Sequence, residues 1–231
     1  MSPDLPKLRE PLYKRPFDLA IMLGAHLVLA PLWLLLWTLI PLLIKLEDHG
    51  PVFYRQERMG KNRHIFTVLK FRTMVPGAAQ LGPTFTVAAD RRITRVGRLL
   101  RKVALDELPQ TLAIWKGDMS LVGPRPLAVR EQEHLEETIP GFAERLVVRP
   151  GLAGLAQLYN RSDEAGSKLH FDLRYVKEMS VWLDIKVLTM AVFNTLSARW
   201  DARGAKSHQK DPGHPAHSPT PTPDQEPVKR P

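Results

Sequence analysis

A chain of 231 residues has room for one ordinary domain with an added anchor or tail. Its 33 Lys and Arg against 24 Asp and Glu, with a pI near 9.9, favour anionic partners: nucleic acid, phospholipid or phosphorylated metabolites. The absence of cysteine excludes disulfides, thiolate metal sites and a cysteine nucleophile, and suits a reducing cytoplasmic setting.

Phe17 to Ile44 is a 28-residue apolar run broken only by Asp18 and His26. As a straight helix it would cover about 42 Å, against a hydrocarbon core of about 30 Å, so it reads as a membrane segment. It is too long for a signal peptide, and Lys45-Leu46-Glu47-Asp48 follows it instead of a small-residue cleavage site. Pro31 sits mid-segment, where it removes a backbone hydrogen bond and should bend the helix. Each half would be only about 21 Å long. Lys7, Arg9, Lys14 and Arg15 precede the segment, and Lys45, Arg55, Arg58, Lys61 and Arg63 follow it, so the flanks show almost none of the bias of a spanning helix. A helix that dips into one leaflet and returns satisfies both observations; a single tilted crossing with a mild kink is the alternative. Glu47 and Asp48 read as interfacial charges.

Val52–Arg58 and His64–Met74 then flank Gly60-Lys61-Asn62 as a β-hairpin. The period of two puts Phe66, Val68, Lys70 and Arg72 on one face, so the two cations either address an anion or sit solvated on an edge strand. Residues 76–89 read as a loop. Thr94 caps a helix with an apolar stripe of Val96, Leu99, Leu100 and Val103 and a basic side of Arg95, Arg98, Arg101 and Lys102, which suits either a membrane surface or the outside of a core.

That helix leads into Leu105-Asp106-Glu107-Leu108-Pro109-Gln110, which reads as the start of a helix over 107–115 ending at Gly117. Adjacent carboxylates at the positive end of a helix dipole, ringed by Arg98, Arg101, Lys102 and Arg125, suit a metal or a phosphate. Arg125 is held extended within Gly123-Pro124-Arg125-Pro126. Residues 128–138 read as a polar helix, Arg149 to Gly154 as a rigid turn, and 181–196 as a last amphipathic helix that closes the core or lies at an interface. Asp172 and Asp184 are either site- or metal-linked acids or a helix cap or surface charge, the latter favoured for Asp184, and Tyr175 and Gln157 are candidates to face a substrate. Beyond Ala202 the Pro-rich chain cannot bury enough to order itself.

Lys70-Phe71-Arg72-Thr73-Met74, Arg91 to Gly97, Leu105 to Gln110, Lys116 to Pro126 and Arg149-Pro150-Gly151-Leu152, in this order, resemble the bacterial sugar transferase family, the monotopic polyprenyl-phosphate phosphoglycosyl transferases in their small single-domain form. The likeness runs from about Lys14 to Leu196. It implies an α+β, mostly helical fold: an N-terminal segment over 1–13, a re-entrant membrane helix over 14–46, a cytoplasmic catalytic domain over 47–200 with interfacial helices and a short β-hairpin, and a disordered tail over 201–231. It implies transfer of a sugar 1-phosphate from a UDP-sugar to undecaprenyl phosphate, releasing UMP, at the cytoplasmic face of the bacterial inner membrane. Phospholipids and downstream glycosyltransferases are then the expected partners, and nucleic acid is not. The same resemblance makes Asp106 the nucleophile, Glu107 with Asp106 the Mg²⁺ ligands, and Lys70, Arg72, Arg101, Arg125 and Asp172 phosphate- or substrate-binding residues. The family's usual Ser-Pro at the helix break is Ala30-Pro31 here. A membrane-tethered nucleic-acid-binding protein would explain the charge and leave the paired acids and the Pro-Arg-Pro turn without a role.

Overall fold

The computed structural model describes residues 9–78, 80–81, 90–160 and 164–197. The tail over 201–231, most of the N-terminal segment and most of the 76–89 loop lie outside the described residues.

The apolar run folds as two helices, α1 (Lys14–Val28) and α2 (Ala30–Asp48), with the break at Leu29. This is two residues earlier than Pro31. The proline falls in the first turn of α2, where a missing N–H costs nothing, so the chain breaks ahead of the ring and not at it. The break is dressed by aromatics: the His26 ring stacks on Trp33 with centroids 4.3 Å apart, and Trp33 Nε1–H donates to the Ala25 carbonyl at 3.3 Å. Pro41 lies inside α2 without ending it.

Both ends of this helix pair are fastened to the rest of the chain. At the start of α1, Lys14 Nζ meets Asp184 Oδ2 at 2.9 Å, Arg15 donates to the Ile114 and Trp115 carbonyls, and Leu121 N–H donates to Asp18 Oδ1 at 3.2 Å. At the end of α2, Ile40 and Ile44 pack with Phe71 and Leu100, and the backbone N–H groups of Arg95 and Val96 donate to Glu47 at 2.6 and 3.1 Å. Asp48 pairs with Arg72. Glu47 and Asp48, read from sequence as interfacial charges, are thus bonded to the rest of the chain. Asp184, read from sequence as a cap or surface charge, is fully buried, with Tyr13 and Tyr175 hydroxyls as well as Lys14 on its carboxylate. An isolated carboxylate in the sequence gives no sign of a cation 170 residues away. Removing either partner of such a buried pair costs about 3–5 kcal/mol, because the other charge is left behind.

Strands β1 (Phe53–Met59) and β2 (Ile65–Phe71) form the expected antiparallel hairpin, with Tyr54 opposite Lys70 and Arg58 opposite Phe66. The turn is a tight 3₁₀ segment over Lys61–Arg63, with Asn62 and Arg63 in left-handed backbone. The next helix, α3 (Arg95–Lys102), is capped as its sequence indicates, Thr94 Oγ1 accepting from Gly97 N–H at 2.9 Å. Leu100 is buried while Leu99 is exposed, so α3 packs on a core and keeps one apolar residue outward. Its glycine matters: a Cβ on Gly97 would sit 2.1 Å from the Thr73 carbonyl oxygen.

The expected helix over 107–115 is instead a 3₁₀ turn, Leu105–Gln110, followed by the short α4 (Thr111–Lys116), which ends at Gly117 with φ +96°. Pro109 cannot donate to the carbonyl four residues back, so the tighter turn takes over ahead of it. The 149–154 stretch is not only a turn: β4 (Gly151–Ala153) pairs in parallel with β3 (Ser120–Val122). Gly151 lies so close to Gly123 that a Cβ would meet its backbone nitrogen at 2.0 Å, which binds the second rigid turn to the Pro-Arg-Pro turn. Helix α5 (Val129–Thr138) follows, then a 3₁₀ segment over Phe142–Val147, α6 (Leu155–Tyr159), α7 (Ala165–Glu178) and α8 (Val181–Leu196).

Ile114, Met119, Val122, Tyr175 and Val187 form the main core, which also takes in Met22 from α1. Helix α8 divides its faces: Val187, Leu183, Leu188 and Ala191 pack inward, while Trp182 and Leu196 are 80% and 81% exposed. The described residues are thus mostly helical, with two two-stranded sheets, one antiparallel and one parallel.

Candidate active site

Three segments that are distant in sequence meet at Glu107. Lys70, from the end of β2, donates from Nζ to Glu107 Oε1 at 2.8 Å. Arg125, from the Pro-Arg-Pro turn, donates from Nη1 to Glu107 Oε2 at 3.2 Å and from Nη2 to Oε1. Glu107 itself rides the 3₁₀ turn, whose entry is made by Ala104 in left-handed backbone, φ 54°. A non-glycine residue held there is strained by roughly 1–3 kcal/mol, a cost met at sites where geometry matters.

The neighbouring carboxylate is treated differently. No described residue hydrogen-bonds the half-buried Asp106 side chain. Burial pushes its carboxyl above the ordinary aspartate value, and the charge of Glu107 adds to that, beyond what Lys70, Arg101 and Arg125 take back. Burial acts on Glu107 in the same upward sense, but there the Arg125 and Lys70 cations win and hold the carboxyl well below the usual carboxylate range. Burial in turn lowers Lys70, against the pull of Glu107. One acid is therefore spent on organising cations, and the other is left basic and unshared.

The remaining expected site residues divide. Arg101 stands near enough to act on Asp106 electrostatically and donates from Nε to Thr73 Oγ1 at 2.8 Å. Arg72 lies past the end of β2 and is 7% exposed; its guanidinium is taken up by Asp48, the Pro51 carbonyl at 2.5 Å and the Met74 carbonyl at 3.0 Å. Lys70 and Arg72, placed together by the period of two, thus meet different acids, Glu107 and Asp48. Asp172 is buried on α7 and pairs with Arg145. Tyr175 is also buried, its hydroxyl on the Val122 carbonyl and Asp184, so the structure places it in the core and not facing a substrate. Gln157 donates to the Leu152 carbonyl at 3.4 Å.

Two arginines beside the site are not singled out by the sequence, Arg58 counting there only as a cation flanking the apolar run. Arg58 donates to the Pro126 carbonyl at 2.9 Å and to Gln56 at 2.6 Å, and burial with the nearby Arg125 charge lowers its pKa. Arg145 donates to the Arg125 carbonyl at 2.6 Å. The sequence gives little sign of the second, because Arg145 directly follows Glu144 and reads as half of a local charge pair.

Among the described residues no three His, Cys, Asp or Glu gather as a metal cage. Two adjacent carboxylates are nonetheless the donor set with which Mg²⁺ is commonly held when substrate phosphates and waters complete its octahedron. Both Glu107 oxygens already accept from Lys70 or Arg125, so of the two carboxylates Asp106 is the one open to an ion.

The bacterial sugar transferase family model matches residues 9–198. The chain belongs to the bacterial sugar transferase family. It is 37% identical over 206 residues to a UDP-N-acetylgalactosamine-undecaprenyl-phosphate N-acetylgalactosaminephosphotransferase of Aeromonas hydrophila, covering 86% of this chain and 47% of that protein. It is 39% identical over 203 residues to a UDP-glucose:undecaprenyl-phosphate glucose-1-phosphate transferase of Caulobacter vibrioides, covering 84% and 73% of the two. An exopolysaccharide production protein of Rhizobium leguminosarum bv. phaseoli is 40% identical over 199 residues, covering 80% of this chain and 95% of the relative. The chain thus spans about half the length of some curated relatives and nearly all of another.

Neutralising Glu107 as Glu107→Gln removes a like charge from beside Asp106 and releases Lys70 and Arg125 to act on it. Both changes favour the ionised form, so a carboxyl NMR titration of metal-free protein will find the Asp106 midpoint lower than in the native chain. An unchanged or higher midpoint would contradict the electrostatic assignment.

Proposed function

We infer that this protein transfers a sugar 1-phosphate from a UDP-sugar to undecaprenyl phosphate, with Asp106 as nucleophile. The observation that carries the reading is the unequal treatment of two adjacent acids: Glu107 gathers Lys70 and Arg125, and Asp106 beside them has no hydrogen-bond partner among the described residues. A more basic, unshared carboxylate is the better attacking group, and attack on an anionic diphosphate needs fixed cations where charge builds. The relatives' names supply the substrate classes, a UDP-sugar and undecaprenyl phosphate, and differ in the sugar.

An Asp106 oxygen bonds to the phosphorus next to the sugar as that phosphorus loses its bridging oxygen to UMP. An oxygen of the lipid phosphate then attacks the same phosphorus, the bond to Asp106 breaks, and the carboxylate is restored as undecaprenyl-diphospho-sugar departs. Lys70 and Arg125 hold the site's positive charge, and Arg101 adds to it. Glu107 and Asp106 are the residues that would hold Mg²⁺, which when bound supplies further neutralisation of phosphate charge.

The acceptor's phosphate sits at headgroup depth, so the site must lie against a bilayer. Helix α2 is long and apolar enough to cross a membrane by length and composition, yet its far end and the near end of α1 are both tied to one body. Leu27, Val28, Leu34 and Leu35, around the break, are exposed. We read the pair as re-entrant, entering from the cytoplasmic face of the bacterial inner membrane, with Trp182 and Leu196 of α8 toward the lipid surface.

With radiolabelled UDP-sugars in detergent, native protein will label undecaprenyl phosphate and release UMP, and Asp106→Asn and Asp106→Ala will lose at least about a thousandfold in turnover. Full turnover by either variant would remove Asp106 from the chemistry. Topology is separately testable because the chain has no cysteine. Single cysteines at exposed Arg9 and Arg55, on either side of the helix pair, will react with an impermeant maleimide from the same side of oriented vesicles. Labelling from opposite sides would establish a spanning helix.

A further inference from the structure

Arg125 must present its guanidinium to Glu107 from a turn in which Pro124 and Pro126 supply no backbone N–H. The turn is held through its carbonyls. Gly151 N–H donates to Pro124 O at 2.9 Å, Arg145 Nη2 to Arg125 O at 2.6 Å, Arg58 Nη1 to Pro126 O at 2.9 Å and Met59 N–H to Leu127 O at 3.0 Å. Four successive carbonyls are thus occupied, and the one on Arg125 itself is taken by a side chain from 20 residues away.

That side chain is fixed on its other two arms. Arg145 Nε donates to Asp172 Oδ2 at 2.8 Å, and Nη1 donates to Gln132 Oε1 at 2.9 Å. The Phe142 ring lies against the guanidinium, 5.4 Å from carbon to centroid. Arg145 and Asp172 are each 1% exposed, and Gln132 is fully buried. A buried ion pair is poor value as a stabiliser, since apolar residues of similar volume serve as well. What apolar residues cannot supply is a planar fork whose three arms reach α5, α7 and the backbone of the Pro-Arg-Pro turn at once.

We propose that Arg145, oriented by Asp172 and Gln132, is a positioning residue for the transfer reaction: it fixes the backbone from which Arg125 reaches Glu107, and it touches neither donor nor acceptor. Asp172 then acts through Arg145 and not on substrate. The assignment rests on the reading of Asp106 and its cations as the transfer site.

Arg145→Lys keeps a cation opposite Asp172 and loses the fork. In the full chain in detergent, with UDP-glucose and UDP-N-acetylgalactosamine as donor probes, it will lower kcat about tenfold and leave the donor KM within about twofold. In an Arg125→Ala background the same substitution will cost nothing more, because the group it positions is gone. An equal loss in both backgrounds, or no loss in either, would overturn the proposal. Hydrogen exchange provides a readout independent of turnover: the segment from Gly123 to Ala128 will exchange faster in Arg145→Lys and in Asp172→Asn, with the β1–β2 hairpin unchanged. Unaltered exchange there would also overturn it. Native protein that labels no lipid from any UDP-sugar would refute the transfer reading, and the exchange measurement would still decide whether Arg145 holds the turn.

Discussion

The carboxylate of Glu107, shared between Lys70 and Arg125, is the contact on which the rest of the molecule converges. It joins the end of β2, the 3₁₀ turn and the Pro-Arg-Pro turn, three pieces with no regular pairing between them. Two cations and two acids in a half-buried space would be costly if mismatched. Here the charges are distributed so that one acid is paired with both cations and the other is hydrogen-bonded by neither. The difference between Asp106 and Glu107 is therefore a matter of partners more than of burial, since burial pushes both carboxyls in the same direction.

Around this contact the fold works as a set of clamps. The Thr73 carbonyl fits against Gly97, which seats α3, and Arg101 from α3 reaches the Thr73 hydroxyl. Gly123 and Gly151 approach too closely for any side chain, which fastens β3 to β4 directly behind Pro124. Farther out, Lys14, Asp184, Tyr13 and Tyr175 bind the start of α1, and Glu47 and Asp48 bind the end of α2. Polar contacts at both roots of an apolar helix pair fix where the catalytic face stands relative to that pair. A hydrophobic contact, being non-directional, would do so less sharply.

What was legible in the sequence follows local rules. The hairpin, the Thr94 cap, the Gly117 stop and the limits of α8 came from periodicity and turn chemistry over a few residues. The break near Pro31 was also visible, displaced by two residues because proline is tolerated inside a first turn. The parallel β3–β4 pair was hidden, since three-residue strands carry no period and their pairing spans some 30 residues of chain. The acids and cations of the site were found as residue types, but their partners were not. Arg72 and Asp184 show why: a charge in sequence looks the same whether it meets a phosphate, water or a buried counter-ion, and Arg72 meets Asp48 while Asp184 meets Lys14.

The inferred transfer requires an oxygen of Asp106 to become bonded to phosphorus during turnover. Mass spectrometry of protein quenched after exposure to UDP-sugar, with lipid acceptor withheld, tests it most directly. A sugar-phosphate mass will appear on the tryptic peptide from Val103 to Lys116 and will disappear when undecaprenyl phosphate is added. A peptide without that mass, from protein that still makes lipid-linked product once acceptor is supplied, would contradict it.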